Sequence, residues 1–447
     1  MTHADTRLRA QAAPLQISMD EYWMPFTPNR DFKQDPKMIV RAEGMYLWSD
    51  RGEKILDGSA GLFCVNAGHG RREIADAVGA QLRELDFIAP FTRGHPKQFE
   101  LATRVAELTP GDLNRIFFVN SGSEAVDTAM KVALAYHHAR GQGGRNMFIS
   151  RERAYHGVNF GGMSLAGMIN NRRKFGPTLP GIAHMRHTHL KENFHTQGQG
   201  AHGVELAEDL VRFINLYGAE NIAACFVEPI AGSTGCLVPP KGYLERLRAI
   251  CDAHGILLVF DEVICGFGRT GKAFAAQSFG VTPDLMTMAK GLTNGAQPMG
   301  AVAISERIHD TIMGAAAEGA IEFFHGYTYS GHPGPCAAGL ATLDIYKKEA
   351  LFERGAAMSP YFLDALWSLK GLSAVADLRG YGMLAAVEIH PDSTPGRRGH
   401  ALQKKLFDNG LHLKATGDCV IVSPPLIADK SHVDNIVDIL RKTLATI

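Results

Sequence analysis

The sequence predicts an α/β protein with a mostly parallel sheet in a large domain and a smaller α/β domain beside it. Short apolar runs recur without polar alternation, which is typical of strands covered on both faces. Segments with helical periodicity separate these runs, and strands that alternate with helices favour a parallel sheet. The length of 447 residues also exceeds what one ordinary core accommodates, so at least two domains are expected.

The elements follow this scheme along the chain. Residues 1–69 are predicted to join the smaller domain, and residues 38–58 resemble a small β-meander with a turn at residues 49–52. The large domain is predicted over residues 70–335, with strands at 115–119, 146–150, 222–229, 256–262, 285–291 and 300–305. Residues 336–447 form the predicted small C-terminal domain, in which a helix-like stretch over 336–355 precedes the run "GDCVIVSPPLI" and a final helix.

The composition argues against several classes of partner and location. Lys plus Arg and Asp plus Glu number 46 each, so neither nucleic acid nor an anionic membrane surface is expected to bind. Seven scattered cysteines without a C-x-x-C favour reduced thiols in a cytoplasm over a disulfide framework. The start of the chain lacks the apolar core of a secretory signal, and no stretch approaches the roughly 20 apolar residues of a membrane span.

Polar and small residues follow the apolar runs at the places where a site is expected. Ligands of parallel α/β sheets gather at the carboxyl ends of the strands. The loop Asn-Ser-Gly-Ser follows the run 115–119, and Glu228, Asp261 and Lys290 follow three later runs. We therefore expect these side chains to share one site.

The loop after residue 119 has two interpretations. Backbone N–H groups at a helix start, together with serine hydroxyls, form an anion site, for which Ser121, Gly122 and Ser123 are the candidates. Ser121 and Glu124 also match the S-x-x-E capping box, so simple helix capping is the alternative.

Lys290, Asp261 and Tyr155 each have a chemical and a structural interpretation. A desolvated lysine amine attacks carbonyl groups and forms a Schiff base, whereas most lysines at strand ends are solvated. A buried carboxylate needs a partner, which is either a protonated pyridine nitrogen or a structural contact such as a helix cap. Tyr155, followed by His156, either stacks on a flat ring or packs within a loop.

Together these features specify pyridoxal 5′-phosphate (PLP). The cofactor requires a phosphate cradle, an acid for the ring nitrogen, a lysine for the aldehyde and an aromatic side chain for the ring face. Each feature alone is weak, and the combination carries the prediction.

The order of the motifs "NSGSEAVDTAMKVA", "YHG", "VEPI", "FDEVICGFGRTG", "AKGLTNG" and "HGYTYSGHP" resembles the class III PLP-dependent aminotransferases over nearly the whole chain. Strings such as "WMPFTPNR" and "GVTPDLMTMAKGLTNG" are similar, more narrowly, to the β-alanine:pyruvate (ω-amino acid:pyruvate) branch. The resemblance implies a fold-type I PLP enzyme. It also implies ping-pong transfer of an amino group, via pyridoxamine phosphate, from β-alanine, another ω-amino acid or an amine to pyruvate.

The resemblance implies roles for residues around the cofactor ring. Lys290 would be linked to the cofactor and would move the proton between substrate and cofactor. Asp261 would pair with the pyridinium, and Val263 and Tyr155 would cover the two ring faces. Glu228 would lie near the ring and the substrate pocket.

The resemblance also implies phosphate contacts and an assembly. Gly122 and Ser123 would bind the phosphate of their own subunit. Thr328 matches the family position that reaches the phosphate of the neighbouring subunit. A homodimer with shared active sites, or a tetramer, is therefore expected.

Two substrate-pocket positions depart from the family pattern. Lys414 lies in "GLHLKATGD", where the family motif "GLLVRVTGD" has the arginine that binds the substrate carboxylate, and an ammonium lacks the planar fork of a guanidinium. Phe63 replaces a tryptophan and leaves a larger pocket. These departures either favour longer ω-amino acids or amines, or leave specificity unaltered. Trp23 and Phe91 match other positions near the family's substrate pocket.

Three other functions remain as alternatives. A mutase, decarboxylase or racemase on the same fold would need no oxo-acid acceptor. A non-catalytic PLP-binding regulator is disfavoured because the lysine is intact and no DNA-binding segment is appended. An NAD oxidoreductase is disfavoured because Asp261 and Glu262 separate the strand from the glycines of "GFGRTG" at 266–271.

No metal site is expected. His184, His187, His189 and His195 lie close together in the sequence, but no cysteine or acidic motif completes a metal signature. The basic run "NNRRKFG" at 170–176 is interpreted as a solvated loop or an interface segment.

Overall fold

The computed structural model describes residues 18–447, whose strands form three β-sheets. The first part of the described chain contains α1 (Asn29–Gln34), β1 (Ile39–Glu43), β2 (Tyr46–Ser49), β3 (Lys54–Asp57), a short distorted α2 (Ala60–Phe63), α3 (Arg72–Glu84) and α4 (Pro96–Ala106). The middle part contains β4 (Arg115–Val119), α5 (Gly122–Ala139), β5 (Met147–Arg151), α6 (Phe160–Leu165), α7 (Ile169–Arg172), β6 (Ile182–Met185), α8 (Glu208–Tyr217), β7 (Ile222–Val227), α9 (Tyr243–His254), β8 (Leu257–Asp261), α10 (Ala275–Phe279), β9 (Leu285–Met288), β10 (Gly300–Ile304) and α11 (Glu306–Ala315).

The last part contains α12 (Pro333–Lys348), α13 (Leu351–Trp367), β11 (Val375–Tyr381), β12 (Leu384–Ile389), α14 (Arg397–Asp408), β13 (Leu411–His412), β14 (Lys414–Thr416), β15 (Cys419–Val422) and α15 (Lys430–Leu444). Short 3-10 helices lie at Lys191–Asn193, Val204–Ala207, Ala219–Asn221 and Lys290–Thr293.

The central sheet has seven strands in the order β4-β10-β9-β8-β7-β5-β6. Strand β10 runs antiparallel to both of its neighbours, and the pairs among the other strands are parallel. The predicted mostly parallel sheet and its six predicted strands are confirmed. Strand β6 was not predicted, because its four residues include His184 and show no sustained apolar run.

Strand β8 explains why the apolar runs lack polar alternation. Leu257 and Val259 pack in the core on one face of the sheet with residues of α5, whereas Leu258 and Phe260 pack in the core on the other face with residues of α9. Successive side chains of a strand point to opposite faces, so a strand covered on both sides must be apolar throughout.

Of the two smaller sheets, one belongs to the last part of the chain and the other joins both ends of the described chain. The antiparallel sheet β11-β12-β15-β14 is formed by the last part of the chain alone. In the sheet β1-β2-β3-β13, the predicted N-terminal meander pairs with a C-terminal strand, with Leu411 opposite Leu56. This pairing agrees with an N-terminal segment that joins the small domain, although the division at residues 69/70 and 335/336 stays a prediction.

The helix-like stretch over residues 336–355 is not one helix but parts of two. Helix α12 ends at Lys348, and Ala350 adopts a left-handed conformation with φ of 48° before α13 begins. The apolar periodicity continues across the break because both helices pack into the same core.

Two other expectations concern the redox state of the cysteines and the location of the protein. The seven cysteines are all unpaired, as reduced thiols require. Within residues 18–447, no helix has the length and apolar character needed to cross a membrane. The cytoplasmic location stays a prediction.

Candidate active site

A cavity of about 350 Å³ opens where the loops after the parallel strands of the central sheet converge. Strands β4, β5, β7, β8 and β9 share one direction, so their carboxyl ends meet at one edge of the sheet. Ten of the predicted site residues line this cavity: Phe63, Gly122, Ser123, Tyr155, His156, Glu228, Asp261, Val263, Lys290 and Lys414. The predicted convergence at the strand ends is therefore what the structure has.

Lys290 follows β9 and is held in an unusual conformation. Its φ of 49° is in the left-handed region, which non-glycine residues rarely occupy. The next residue is tightly enclosed, because a Cβ at Gly291 would lie 2.8 Å from Asn66 and 2.9 Å from Phe267. The Lys290 Nζ lies 5.8 Å from the centroid of the Phe63 ring. The packing around Gly291 thus maintains a strained backbone that directs Lys290 into the cavity.

Asp261 is the last residue of β8, and three hydrogen bonds orient its carboxylate. The His156 Nδ1 lies 2.8 Å from Oδ2, and the Val263 backbone N–H and the Thr287 hydroxyl each donate to Oδ1 at 3.1 Å. An ionised carboxylate only accepts hydrogen bonds, so Nδ1 of His156 carries the hydrogen. The His156 Nε2 is buried and has no partner within residues 18–447. Asp261 therefore neither caps a helix nor pairs with Lys or Arg of the described chain.

Glu228 follows β7 and faces the same cavity. The backbone N–H of Tyr155 donates to its Oε1 at 2.9 Å, and Arg151 donates to its carbonyl oxygen at 2.9 Å. Burial raises the pKa of Glu228 to about 7, and the negative charge of Asp261 acts in the same direction. Glu228 thus holds a proton over part of the neutral range.

The start of α5 both caps the helix and borders the cavity. The Ser121 hydroxyl accepts from the Glu124 backbone N–H at 3.2 Å, which is helix capping. Gly122 and Ser123 line the cavity instead. A Cβ at Gly122 would lie 3.0 Å from Val263, so the close approach of the helix start to the cavity wall favours glycine there. Capping therefore falls to Ser121, while the anion-binding role of Gly122 and Ser123 stays a prediction.

Comparison with known proteins places the chain in a family. The Aminotransferase class-III family model matches residues 29–444. The chain belongs to the class III aminotransferases. This aminotransferase is 52% identical over 431 residues to the omega-aminotransferase of Caulobacter vibrioides. The matched region covers 96% of this chain and 98% of that protein. It is 47% identical to the omega-amino acid–pyruvate aminotransferase of Pseudomonas putida and 46% identical to the β-alanine–pyruvate aminotransferase of Pseudomonas aeruginosa, with 96% of each chain covered.

Solved structures agree with the family. The omega transaminase from Pseudomonas jessenii in complex with PMP superimposes on this aminotransferase with a TM-score of 0.90 at 34% identity, with 96% of each chain covered. The fold-type I PLP architecture, the aminotransferase activity and the PLP cofactor are confirmed.

The residues of this aminotransferase fit the cofactor. Gly122 and Ser123 at the start of α5 offer an anion site, and Asp261 is a buried acid without a Lys or Arg partner in the described chain. Lys290 is free to reach an aldehyde in the cavity. The roles that the sequence assigns to these residues stay predictions.

Four predicted residues lie outside the walls of this cavity. Ser121 is engaged in capping, as described above. Trp23 and Phe91 are 87% and 57% exposed in the single chain, and Thr328 is also exposed. Their assigned roles stay predictions.

Several cavity residues were not predicted. Phe26, Leu62, Met168, Asn171, Ser233, Ile264 and Thr416 line the cavity. Thr416 was recognisable, because it lies two residues after Lys414 in a strand and two-residue spacing places side chains on one face. Asn171 belongs to the basic run 170–176, so one residue of that run lines the cavity, and the interpretation of the run as a solvated loop or an interface segment stays a prediction.

The "GFGRTG" string packs inside the protein and does not border an open groove. Arg269 is fully buried and donates to the Pro424 carbonyl and to the Asn66 side chain. A Cβ at Gly268 would lie 2.6 Å from both Leu426 and Phe352. The string is a structural turn, as the argument against NAD binding requires.

The clustered histidines have structural partners. His184 Nε2 lies 3.0 Å from the Leu165 carbonyl oxygen. Ligand atoms of His189, Asp377 and Glu388 lie within 4.8 Å of one another, but Arg379 Nη1 donates to both carboxylates at 2.6 Å. The Arg379 guanidinium thus already supplies the positive charge that a metal ion would bring between these two carboxylates. The absence of a metal stays a prediction.

Proposed function

We propose that this aminotransferase transfers the amino group of β-alanine, another ω-amino acid or an amine to pyruvate, in two half-reactions through one cavity. The observation that carries the proposal is that Lys290 and Lys414 line the same cavity. One amine is positioned for the cofactor aldehyde, and the other is an ammonium suited to a substrate carboxylate. The relatives named for ω-amino acids or β-alanine with pyruvate support the same substrate class.

The side chains around the cavity divide the work. PLP, when bound, withdraws electrons from the substrate carbon as its proton leaves. Lys290 accepts that proton and returns it, which needs its neutral amine. Asp261, oriented by His156 and Thr287, keeps a negative charge beside the ring nitrogen. Tyr155 and Val263, which line the cavity, would hold the ring between them.

Substrate selection falls to Lys414 and Phe63. Lys414 has no acidic partner within 4 Å among the described residues, and burial lowers the pKa of its ammonium. A single ammonium binds a carboxylate with less directionality than a guanidinium fork. We therefore expect longer ω-amino acids and plain amines to compete with β-alanine more effectively than they would in an enzyme that has arginine at position 414.

We further propose a homodimer, or a tetramer, with shared active sites. The segment that carries Thr328 contacts Phe91, because a Cβ at Gly326 would lie 3.3 Å from the Phe91 ring. Phe324 in the same segment is 89% exposed. An exposed aromatic surface around these two segments is typical of a protein–protein interface.

One half-reaction tests the proposed function. PLP-loaded enzyme is mixed with β-alanine without acceptor, and the absorbance of the bound cofactor is followed. We expect the yellow band to bleach and to return on addition of pyruvate. Lys290→Ala is the matched control, and it should keep the fold and lose the reaction.

Two outcomes would change the proposal. Bleaching by a longer ω-amino acid or a plain amine, but not by β-alanine, would keep the reaction class and replace the substrate. Full activity of Lys290→Ala would contradict the site assignment.

A further inference from the structure

We propose that Ser233 and Thr416 are specificity-determining residues, whose hydroxyls complete with Lys414 the subsite for the substrate carboxylate. The proposal rests on the proposed function, because it refines how that cavity binds an ω-amino acid. It adds two hydroxyl donors, neither of which the sequence had singled out, to the ammonium of Lys414.

Strand β14 presents Lys414 and Thr416 together. They are its first and last residues, with one residue between them, so their side chains project from the same face. Both line the cavity. The backbone N–H of Lys414 donates to the Ser59 hydroxyl at 2.9 Å, and that hydroxyl donates to the Ile421 carbonyl of β15 at 3.0 Å, so Ser59 links the start of this edge strand to its neighbour. The two groups are therefore carried by a short, fixed strand.

A buried arginine ties the Ser233 loop to this strand. Arg379 Nε donates to the Gly235 carbonyl at 2.6 Å, and its Nη2 lies 3.4 Å from the Cys419 Sγ. Cys419 is the pairing partner of Thr416 in the β14–β15 hairpin. The loop is also closed on itself by an isolated bridge between Ala231 and Leu237. Ser233 thus keeps a defined place beside the hairpin that carries Lys414 and Thr416.

The arginine is itself held firmly. Asp377 and Glu388 each accept from its Nη1 at 2.6 Å. Burial opposes ionisation of Asp377, yet hydrogen bonds from His189 and Arg379 bring its pKa down to about 2. The network therefore stays ionised at neutral pH and holds the Ser233 loop in place.

Three polar groups of the cavity wall are available to a ligand. Within residues 18–447, the Ser233 hydroxyl, the Thr416 hydroxyl and the Lys414 ammonium make no hydrogen bond, whereas the neighbouring Thr234 hydroxyl donates to the Ala231 carbonyl. Other parts of the cavity wall are apolar, with Phe26, Leu62, Phe63, Met168 and Ile264. Free donors gathered in a largely apolar cavity are what fixes the orientation of a small polar ligand.

The chemistry explains why hydroxyls matter here. A guanidinium satisfies both carboxylate oxygens with two parallel N–H donors, whereas an ammonium is a point charge without that fork. With lysine at position 414, the second oxygen needs other donors once water is displaced. The hydroxyls of Ser233 and Thr416, which line the same cavity as Lys414, supply them.

The test measures carboxylate binding separately from turnover. Propionate, which has the carboxylate of β-alanine but no amine, is titrated into PLP-loaded wild-type enzyme, Ser233→Ala, Thr416→Val, the double variant and Lys414→Met. The exposed Ser368→Ala is the matched control. The half-reaction rates with β-alanine and with propylamine, which has no carboxylate, are measured for each protein.

We expect each hydroxyl deletion to weaken propionate binding about tenfold, since a hydrogen bond to a charged group contributes roughly 1.5 kcal/mol or more. The preference for β-alanine over propylamine should fall by a similar factor. Ser368→Ala should match wild type in both measurements. Thermal unfolding of each variant checks that the fold is intact.

Three results distinguish the hypotheses. Unchanged propionate binding in Ser233→Ala and Thr416→Val, with loss in Lys414→Met, would overturn the role of the hydroxyls and leave the proposed function standing. Equal slowing of β-alanine and propylamine would also overturn it, since that is a structural effect. Failure of wild-type enzyme to react with β-alanine, a longer ω-amino acid and propylamine alike would contradict the proposed function, while the propionate series would still decide the subsite.

Discussion

Arg269 is fully buried and has no carboxylate partner among residues 18–447. Its guanidinium instead binds the Asn66 side chain and the Pro424 carbonyl, two segments that are far apart in the chain. Burial lowers the pKa of Arg269 to about 10, so it is still charged at neutral pH. The residue connects the N-terminal segment, the "GFGRTG" turn and the C-terminal part of the chain.

We expect Arg269→Met to destabilise the protein by about 2–4 kcal/mol, because two buried acceptors lose their donors. Chemical denaturation monitored by circular dichroism measures the change. Arg83→Met is the control, since Arg83 is exposed on α3 and makes no hydrogen bond within the described chain. A loss below about 0.5 kcal/mol in Arg269→Met would contradict the structural role.

The neighbouring acids Asp261 and Glu262 show how position separates function from structure. Asp261 faces the cavity, whereas both oxygens of Glu262 accept backbone N–H groups at the start of α10, from Ala275 at 2.9 Å and Ala276 at 2.7 Å. Adjacent residues of a strand point to opposite faces, so only one of the two acids can reach the cavity.

At the scale of the element, one histidine fastens the segment that carries Thr328 to α5. The His325 Nε2 lies 2.9 Å from the Thr128 hydroxyl, and the Lys131 Nζ lies 3.3 Å from Nδ1. Because an ammonium only donates, Nδ1 accepts and Nε2 carries the hydrogen. The Phe117 ring stacks on the imidazole at 5.6 Å between centroids.

This arrangement disfavours the protonated imidazole. Burial and the Lys131 charge lower the pKa of His325, and the other rings that pack on it, those of Phe323 and Tyr327, carry no charge. A proton on Nδ1 would point at the ammonium. The neutral form therefore fastens the segment to α5, whose first residues line the cavity.

We expect acid to loosen this contact. The folded pKa is below the unfolded value of 6.5, so the stabilising contribution is complete above pH 6.5 and is lost as the pH falls through the folded pKa. His325→Gln does not titrate, so its melting temperature should fall less than that of wild type between pH 7.5 and pH 5.5. Differential scanning calorimetry at the two pH values measures this. Equal decreases would show that another group governs acid sensitivity.

At the scale of the whole molecule, the exposed aromatic surface predicts assembly. We expect a particle of at least twice the chain mass of 48.5 kDa in sedimentation velocity. Phe324→Asp should shift the protein towards monomer, because it places a charge in the proposed apolar interface. It should also weaken PLP retention, because the proposed contact of Thr328 with the neighbouring subunit's phosphate would be lost. Leu216→Asp is the control. Leu216 is exposed on α8, which packs on the face of the central sheet opposite to the face that α5 covers. A monomeric wild type that retains PLP would contradict shared sites.

The sequence by itself determined the mostly parallel sheet and the convergence of polar residues at one of its edges. Apolar runs without alternation mark strands buried on both faces, and parallel strands must bring their carboxyl ends to one edge, so Lys290, Asp261 and Glu228 were predictable as neighbours. Only the tertiary structure decided which of two adjacent acids faces the cavity. It also decided that Arg269 is a structural donor, and that Ser233 lines the same cavity as Lys414. These facts depend on contacts between segments that are distant in the chain, and no local pattern of residue types encodes such contacts.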